Sequence, residues 1–107
     1  MDPETQKKVQ SLQILEQNFQ NILMQKQSFQ VEINETNTAL NEVINSNEDI
    51  FKVIGQVMVK SDKEKLKKEL EEKKDLLDLR IKAIDKQELS LRSEIERIRS
   101  EIMDKLN

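Results

Sequence analysis

The sequence has no cysteine, histidine, tryptophan or tyrosine, and it contains one glycine and one proline. Without His or Cys, the usual pairs of nucleophile and general base cannot be built, and neither can thiolate metal sites. A single Gly also rules out a glycine-rich phosphate loop. We therefore expect no enzymatic activity, no metal and no cofactor. The lack of cysteine also excludes disulfides and fits a reducing compartment.

Aromatic residues make up only 3% of the 107 residues, whereas 36% are charged. A compact domain of this length normally buries more bulky side chains, so an extended helical protein is favoured. The net charge of −3 provides no basic excess for binding phosphates, which argues against a nucleic-acid partner. No apolar run approaches the ~18 residues of a membrane span, and the polar start predicts no secretory signal. We expect a cytoplasmic protein.

Apolar residues recur along the chain in two heptad seams, at alternating spacings of three and four residues. The first comprises Leu12, Leu15, Phe19, Ile22, Lys26, Phe29, Ile33, Thr36, Leu40 and Val43. The second comprises Leu70, Leu77, Ile81, Ile84, Leu91, Ile95, Ile98 and Ile102. This periodicity places one apolar stripe on each helix and predicts a left-handed coiled coil. Since the segments match in length and their connection is short, we expect them to fold back antiparallel.

Between the seams lies a β-branched insert that contains Gly55. It predicts a hairpin turning at Gly55-Gln56, with Ile54 opposite Val57 and Val53 opposite Met58. The predicted fold is mainly α: two long helices in an antiparallel coiled coil joined by one β-hairpin. As a single domain over residues 1–107, it has helices at about 3–44 and 62–106 and the hairpin at about 50–60. Asp2-Pro3 should start the first helix, and a Ser61–Glu64 capping box should start the second.

Polar residues interrupt the seams at Lys26, Thr36, Lys74 and Glu88. Such residues commonly set the alignment of a coiled coil at some cost in stability. Lys can also direct its charge out of the seam along an apolar stem. We expect a structural role for all four.

The hairpin is predicted to be an assembly element. Its candidate assembly residues are Ile50, Phe51, Val53, Ile54, Gly55, Val57, Met58 and Val59. These apolar groups point to both faces, and the unpaired edges of a lone hairpin invite other strands. The alternative is a cap that packs on the end of the coil.

The region near the chain termini is the candidate binding surface. Between Val9 and Val31 the only charged residues are Glu16 and Lys26, and the remainder is rich in Gln and Asn. The residues that we expect to contact a partner there are Val9, Leu12, Ile14, Leu15, Ile98, Ile102, Met103 and Leu106. Fraying of the helix ends would expose those that belong to the seam. The alternative is packing against a neighbouring helix, or apolar residues scattered singly over the surface.

The sequence resembles the β class of archaeal prefoldin subunits over nearly its whole length. The stretches that carry the resemblance are Gln25-Lys26-Gln27, Ile33-Asn34-Glu35-Thr36 with Ala39-Leu40, Phe51-Lys52-Val53-Ile54-Gly55 with Val59-Lys60, Leu79-Arg80-Ile81, and Lys86-Gln87-Glu88. Phe51 stands where the family more often has Tyr, which preserves ring packing but not a hydroxyl contact.

The resemblance implies a hexamer of two α-class and four β-class subunits, in which the hairpins form a body of β-barrels. It further implies that non-native proteins are held at the coiled-coil tips without nucleotide and are then passed to a group II chaperonin. Two other functions remain open from the residues alone. One is a structural or tethering coiled coil with a hairpin for oligomerisation, and the other is a helical arm of an RNA-binding enzyme, against which the charge balance speaks.

Overall fold

The computed structural model describes residues 2–106. The elements follow in the order α1 (Pro3–Asn45), β1 (Ile50–Ile54), β2 (Val57–Ser61) and α2 (Lys63–Leu106). The two strands form one antiparallel sheet. The predicted fold class, two long helices joined by a β-hairpin, is confirmed. Within residues 2–106, neither helix has a stretch that is both long and apolar enough to cross a membrane.

The first helix starts at Asp2, as its sequence predicts. The Oδ1 of Asp2 accepts a hydrogen bond from the backbone amide of Thr5 at 2.7 Å, and its carbonyl accepts one from the amide of Gln6 at 3.0 Å. The Thr5 amide favours the charged carboxylate, so it lowers the pKa of Asp2. Asp2 therefore acts as the N-cap, and Pro3 takes the first helical position, where its missing amide hydrogen has no cost.

The second helix begins differently from the prediction. Ser61 is the last residue of β2 and pairs with Ile50, so it does not cap α2. The helix starts at Lys63, and the carbonyl of Asp62 accepts the first helical hydrogen bond from the amide of Leu66 at 2.9 Å. Because the first helical residue is Lys63, the N-cap position belongs to Asp62, the residue directly before it.

The chain divides into two compact units. The hairpin unit spans Phe29–Arg80, and the terminal unit comprises the residues up to Ser28 together with those from Ile81 onward. In the hairpin unit Ile54 pairs with Val57 and Val53 with Met58, which confirms the predicted register. Gly55 has φ of 60°, a conformation that Gly adopts without the steric penalty of a side chain, and this fits the first central position of a II′ turn.

The helices of the hairpin unit pack through Val43, Leu66 and Leu77, all of which are buried. Thr36 is also buried at the seam, and its hydroxyl donates to the carbonyl of Glu32 one turn earlier at 2.8 Å. The predicted polar interruption at Thr36 thus has its hydrogen bond satisfied within its own helix.

In the terminal unit the buried apolar residues all come from α2: Ile84, Ile95, Ile98 and Ile102. The facing segment of α1 runs antiparallel, because Lys8 pairs with Glu101 whereas Lys26 pairs with Asp85. Along this part of α1 the side chains of the seam are half-buried. The packing therefore continues along the terminal unit as far as Ile102.

Candidate functional site

The hairpin presents apolar side chains on both faces. Since opposite residues share a face and successive residues alternate, one face carries Phe51, Val53 and Met58 beside Lys60. The other face carries Ile50, Ile54, Val57 and Val59 beside Lys52. Apart from half-buried Ile50, these apolar side chains are exposed, from 45% for Val59 to 68% for Met58. So large an apolar fraction on a two-stranded sheet is typical of an interface that another chain covers.

Polar contacts hold the base of the hairpin against the helices of its unit. The ammonium of Lys52 donates to Glu69 at 2.9 Å, and that of Lys63 donates to the carbonyl of Ser46 at 2.9 Å. The hydrogen bond from Lys52 lowers the pKa of the Glu69 carboxyl, because it favours the ionised form. The apolar groups of the strands, in contrast, remain uncovered. The hairpin thus does not pack down as a cap on the helix ends.

An open apolar cavity of about 390 Å³ lies at the foot of the hairpin. Val43, Leu66 and Leu70 contribute its helical wall, and Ile50 and Phe51 contribute its strand wall. A pocket of this size beside an exposed sheet edge can take an apolar side chain from another chain. The cavity therefore adds a concave site to the exposed faces.

The terminal unit places the eight predicted contact residues in three different environments. Ile14, Met103 and Leu106 are exposed; Val9, Leu12 and Leu15 are half-buried; Ile98 and Ile102 are buried. While the helices stay paired, the exposed three can meet a partner fully and the half-buried three only with part of their side chains. Contact with Ile98 or Ile102 requires the helices to separate locally at their ends.

A charged cluster bridges the helices of the terminal unit. The ammonium of Lys26 lies 2.8 Å from Oδ1 of Asp85 and donates to Oε2 of Glu88 at 3.1 Å. Hydrogen bonding to Asp85, and then to Glu88, raises the pKa of Lys26. Asp85 Oδ1 is buried, and among residues 2–106 its ion-pair partner is Lys26 alone. The sequence singled out Lys26 and Glu88 as seam residues, but Asp85 lies off the seam and was missed.

Three exposed leucines were given no role in binding or assembly from the sequence. Leu76, Leu79 and Leu89 lie on α2 outside the heptad seam, and each is about half exposed or more. Their spacing relative to Leu77 and Ile81 would have identified them as off-seam residues. They are individually unremarkable, since single apolar residues on a surface are common.

Comparison with known proteins matches the chain over almost its entire length. The model of the prefoldin subunit family matches residues 6–107. A prefoldin subunit beta from Saccharolobus islandicus is 35% identical, covering 100% of this chain and 86% of that protein. One from Sulfurisphaera tokodaii is 32% identical, covering 97% of this chain and 85% of that protein.

A solved structure shows the same fold. The crystal structure of the prefoldin beta subunit from Thermococcus strain KS-1 superposes with a TM-score of 0.90 and 30% identity, covering 99% of this chain and 95% of that chain. Sequence and fold agree on both the hairpin and the two helices. The chain belongs to the prefoldin family as a beta-class subunit, a non-enzymatic chaperone component.

Proposed function

We propose that the chain is a subunit of an ATP-independent holdase that binds non-native proteins at the ends of its helices and delivers them to a group II chaperonin. The observation that carries the proposal is the exposure of Ile14, Met103 and Leu106 in the terminal unit, while the hairpin exposes a separate apolar set. A chaperone subunit needs two such surfaces, one for assembly and one for clients. Here they lie in different compact units.

The assembly step rests on the hairpin. Strand edges from neighbouring subunits would take up the unpaired backbone groups of β1 and β2, and their side chains would cover the apolar faces. Gly55 keeps the turn tight enough for the strand ends to approach a neighbour. Likeness to the beta-class subunits supports a hetero-hexamer of two α-class and four β-class chains.

Client binding rests on the eight candidate residues Val9, Leu12, Ile14, Leu15, Ile98, Ile102, Met103 and Leu106. Ile14, Met103 and Leu106 would make the first contact, and the other five would follow as the helix ends open. Met adapts its shape to different partners, which suits a chaperone with many clients. Each subunit would bind weakly, and the joined subunits would bind strongly through avidity.

Weak binding by each single subunit would also allow the client to be released to the chaperonin. A client held by several weak contacts can leave one subunit at a time, so no nucleotide is needed to eject it. A cytoplasmic location goes with the proposal, because a holdase acts where non-native chains arise. All 107 residues would serve as a single functional domain.

The test compares aggregation of a chemically unfolded protein with and without the complex formed by this chain and an α-class partner. A holdase suppresses light scattering at near-stoichiometric amounts, and it does so equally with and without ATP. A coiled coil that only tethers or spaces other proteins would leave the aggregation curve unchanged, which would refute the proposal.

A further inference from the structure

The terminal unit has two grooves between its helices, and they differ in charge. The first, here the charged groove, has a volume of about 600 Å³ and includes Glu16, Arg92, Glu96 and Arg99 in its lining. Its guanidinium groups are already engaged: Arg99 donates to Glu16 at 2.6 Å, and Arg92 lies over the ring of Phe19. Both guanidinium groups of this groove therefore already have partners within the chain.

The second groove, also about 600 Å³, has no charged residue in its lining. It is lined by Asn18, Asn21, Ile22, Gln25, Gln87, Ser90 and Leu91. We call it the amide groove. In a chain of which 36% is charged, a groove with no charged lining residue is unusual. Two apolar seam residues form part of the lining, and carboxamides and one hydroxyl form the remainder.

The side-chain amides of this groove are available to a ligand. Among residues 2–106, Asn18, Gln25 and Gln87 make no side-chain hydrogen bond to the protein, and Asn21 accepts one from Gln17 at a long 3.3 Å. A carboxamide offers two donor hydrogens and one acceptor oxygen. The groove consequently presents both donors and acceptors beside an apolar floor.

We propose that the amide groove binds an extended, uncharged segment of a non-native polypeptide through its backbone. Backbone N–H and C=O groups need an acceptor and a donor in alternation, which the carboxamides supply. An apolar side chain of the same segment would rest on Ile22 and Leu91. A lining without charge offers no counter-ion to a charged segment, so it favours an uncharged one and recognises the backbone that all unfolded chains share. This proposal rests on the holdase function and adds a second contact site to it.

Site-specific crosslinking tests the placement of the client. Because the sequence has no cysteine, Asn21→Cys introduces the only thiol of the chain, which can be labelled with a benzophenone maleimide before assembly. Gln27→Cys is the matched control, since it lies on the same helix and outside both grooves. Illumination with a radiolabelled, chemically unfolded protein should crosslink at least about fivefold more client at position 21 than at position 27. Equal yields would overturn the proposal.

Isosteric variants test the chemistry. Asn21→Asp with Gln87→Glu removes donors and adds two charges within the amide groove, while Asn34→Asp with Asn41→Asp adds the same charge at exposed positions of the hairpin unit. We expect the groove pair to weaken binding of a fluorescent peptide of Val, Thr, Ser and Gly several-fold and the control pair to leave it unchanged. N-methylation of alternate peptide nitrogens should weaken binding to the wild-type complex to a similar degree.

The holdase function and the amide groove are tested separately by these experiments. If wild-type complex suppresses aggregation but the groove pair behaves as the control pair does, the holdase function stands and the amide groove is excluded as a contact site. If wild-type complex fails to suppress aggregation, the proposed function itself is wrong. Loss in both pairs alike would indicate a general effect of charge and would also overturn the groove proposal.

Discussion

The ammonium of Lys26 donates a 3.1 Å hydrogen bond to Oε2 of Glu88, so the polar interruptions of the two seams lie opposite each other. The same ammonium lies 2.8 Å from the buried Oδ1 of Asp85. One cation thus compensates two carboxylates from the opposite helix. Any other alignment of the helices would leave at least one of these oxygens without a cation. A single ion cluster therefore favours one register over its neighbours.

We expect Lys26→Met to lower the melting temperature by several degrees, although Met is apolar and suits a seam. The loss arises because Asp85 Oδ1 keeps its buried position without a cation. Adding Asp85→Asn should recover part of the loss, since the neutral amide has no charge to compensate. Thermal unfolding of the two single variants and the double variant measures the coupling. A coupling of zero would contradict the proposed role of the cluster in alignment.

The register of the hairpin could be predicted from the sequence, but the contacts of Asp85 could not. Gly55 is the only glycine in the chain, and a two-residue turn needs a positive φ that this residue adopts at low cost. That local requirement sets the pairing of Ile54 with Val57. Asp85, in contrast, meets Lys26 only through the alignment of two helices that are far apart in sequence. Periodicity locates the seam but does not fix which off-seam residue reaches across it.

The start of α2 and the extent of burial near the termini also could not be predicted from the local sequence. Ser61 and Asp62 are both good capping residues, and the sequence favoured Ser61 because Glu64 completes a box. In the structure α2 begins at Lys63, so Asp62 holds the cap position. Likewise, the heptad pattern places Ile98 and Ile102 on the seam but does not say how close to the helix end the packing persists. In the structure it persists through Ile102, and that residue is buried.

Charge on the hairpin should prevent assembly without unfolding the helices. Ile54→Asp or Val57→Asp places a carboxylate on a face that we propose other subunits cover, where desolvation opposes it. We expect a soluble helical monomer when the variant is mixed with an α-class partner, by native mass spectrometry and circular dichroism. Gln56→Asp adds the same charge at the turn and should still assemble. Normal assembly of the Ile54 or Val57 variants would show that the interface lies elsewhere.

The seam should matter more in the body of the terminal unit than at its end. Ile84 and Ile102 are matched for this comparison, since both are isoleucines on α2 and are 6% and 9% exposed. Ile84→Ala should cost about 2–4 kcal/mol of unfolding free energy through lost burial and the cavity left behind. Ile102→Ala should cost less, because the last turn frays readily. Chemical denaturation measures both, and equal losses would mean that the end is as firmly packed as the interior.

The contact between Lys52 and Glu69 should make stability depend on acid pH. The folded state lowers the pKa of Glu69 below its ordinary value of 4.5, so the contact stabilises the fold fully above that value. It is lost as the pH falls through the lowered folded-state pKa. The effect should be small, because both side chains are more than a third exposed and solvent screens them.

The measurement compares the melting temperatures of wild type and Glu69→Gln across pH. The wild type should melt higher at neutral pH, and the difference should shrink as the pH falls through the lowered pKa of Glu69, because the protonated carboxyl is then as neutral as the Gln amide. High salt at neutral pH should shrink the same difference. A difference that stays constant from neutral to acid pH would show that the charge of Glu69 contributes nothing to stability.

The exposed apolar residues of the terminal unit should carry the first contact with clients. Replacing Ile14, Met103 and Leu106 with Ser removes apolar surface without touching the buried seam, so folding and assembly should be preserved. Suppression of aggregation should fall sharply, because every β-class subunit of the complex loses its contact and avidity multiplies the loss. The control is Leu76→Ser with Leu79→Ser in the hairpin unit; Leu79 is 63% exposed, as Ile14 is.

Raising salt from low to physiological strength should change client binding little, since ionic screening does not weaken apolar contacts. If the triple variant held clients as well as the wild type, and truncation before Leu12 and after Ile98 had no effect either, the binding surface would have to lie away from the helix ends.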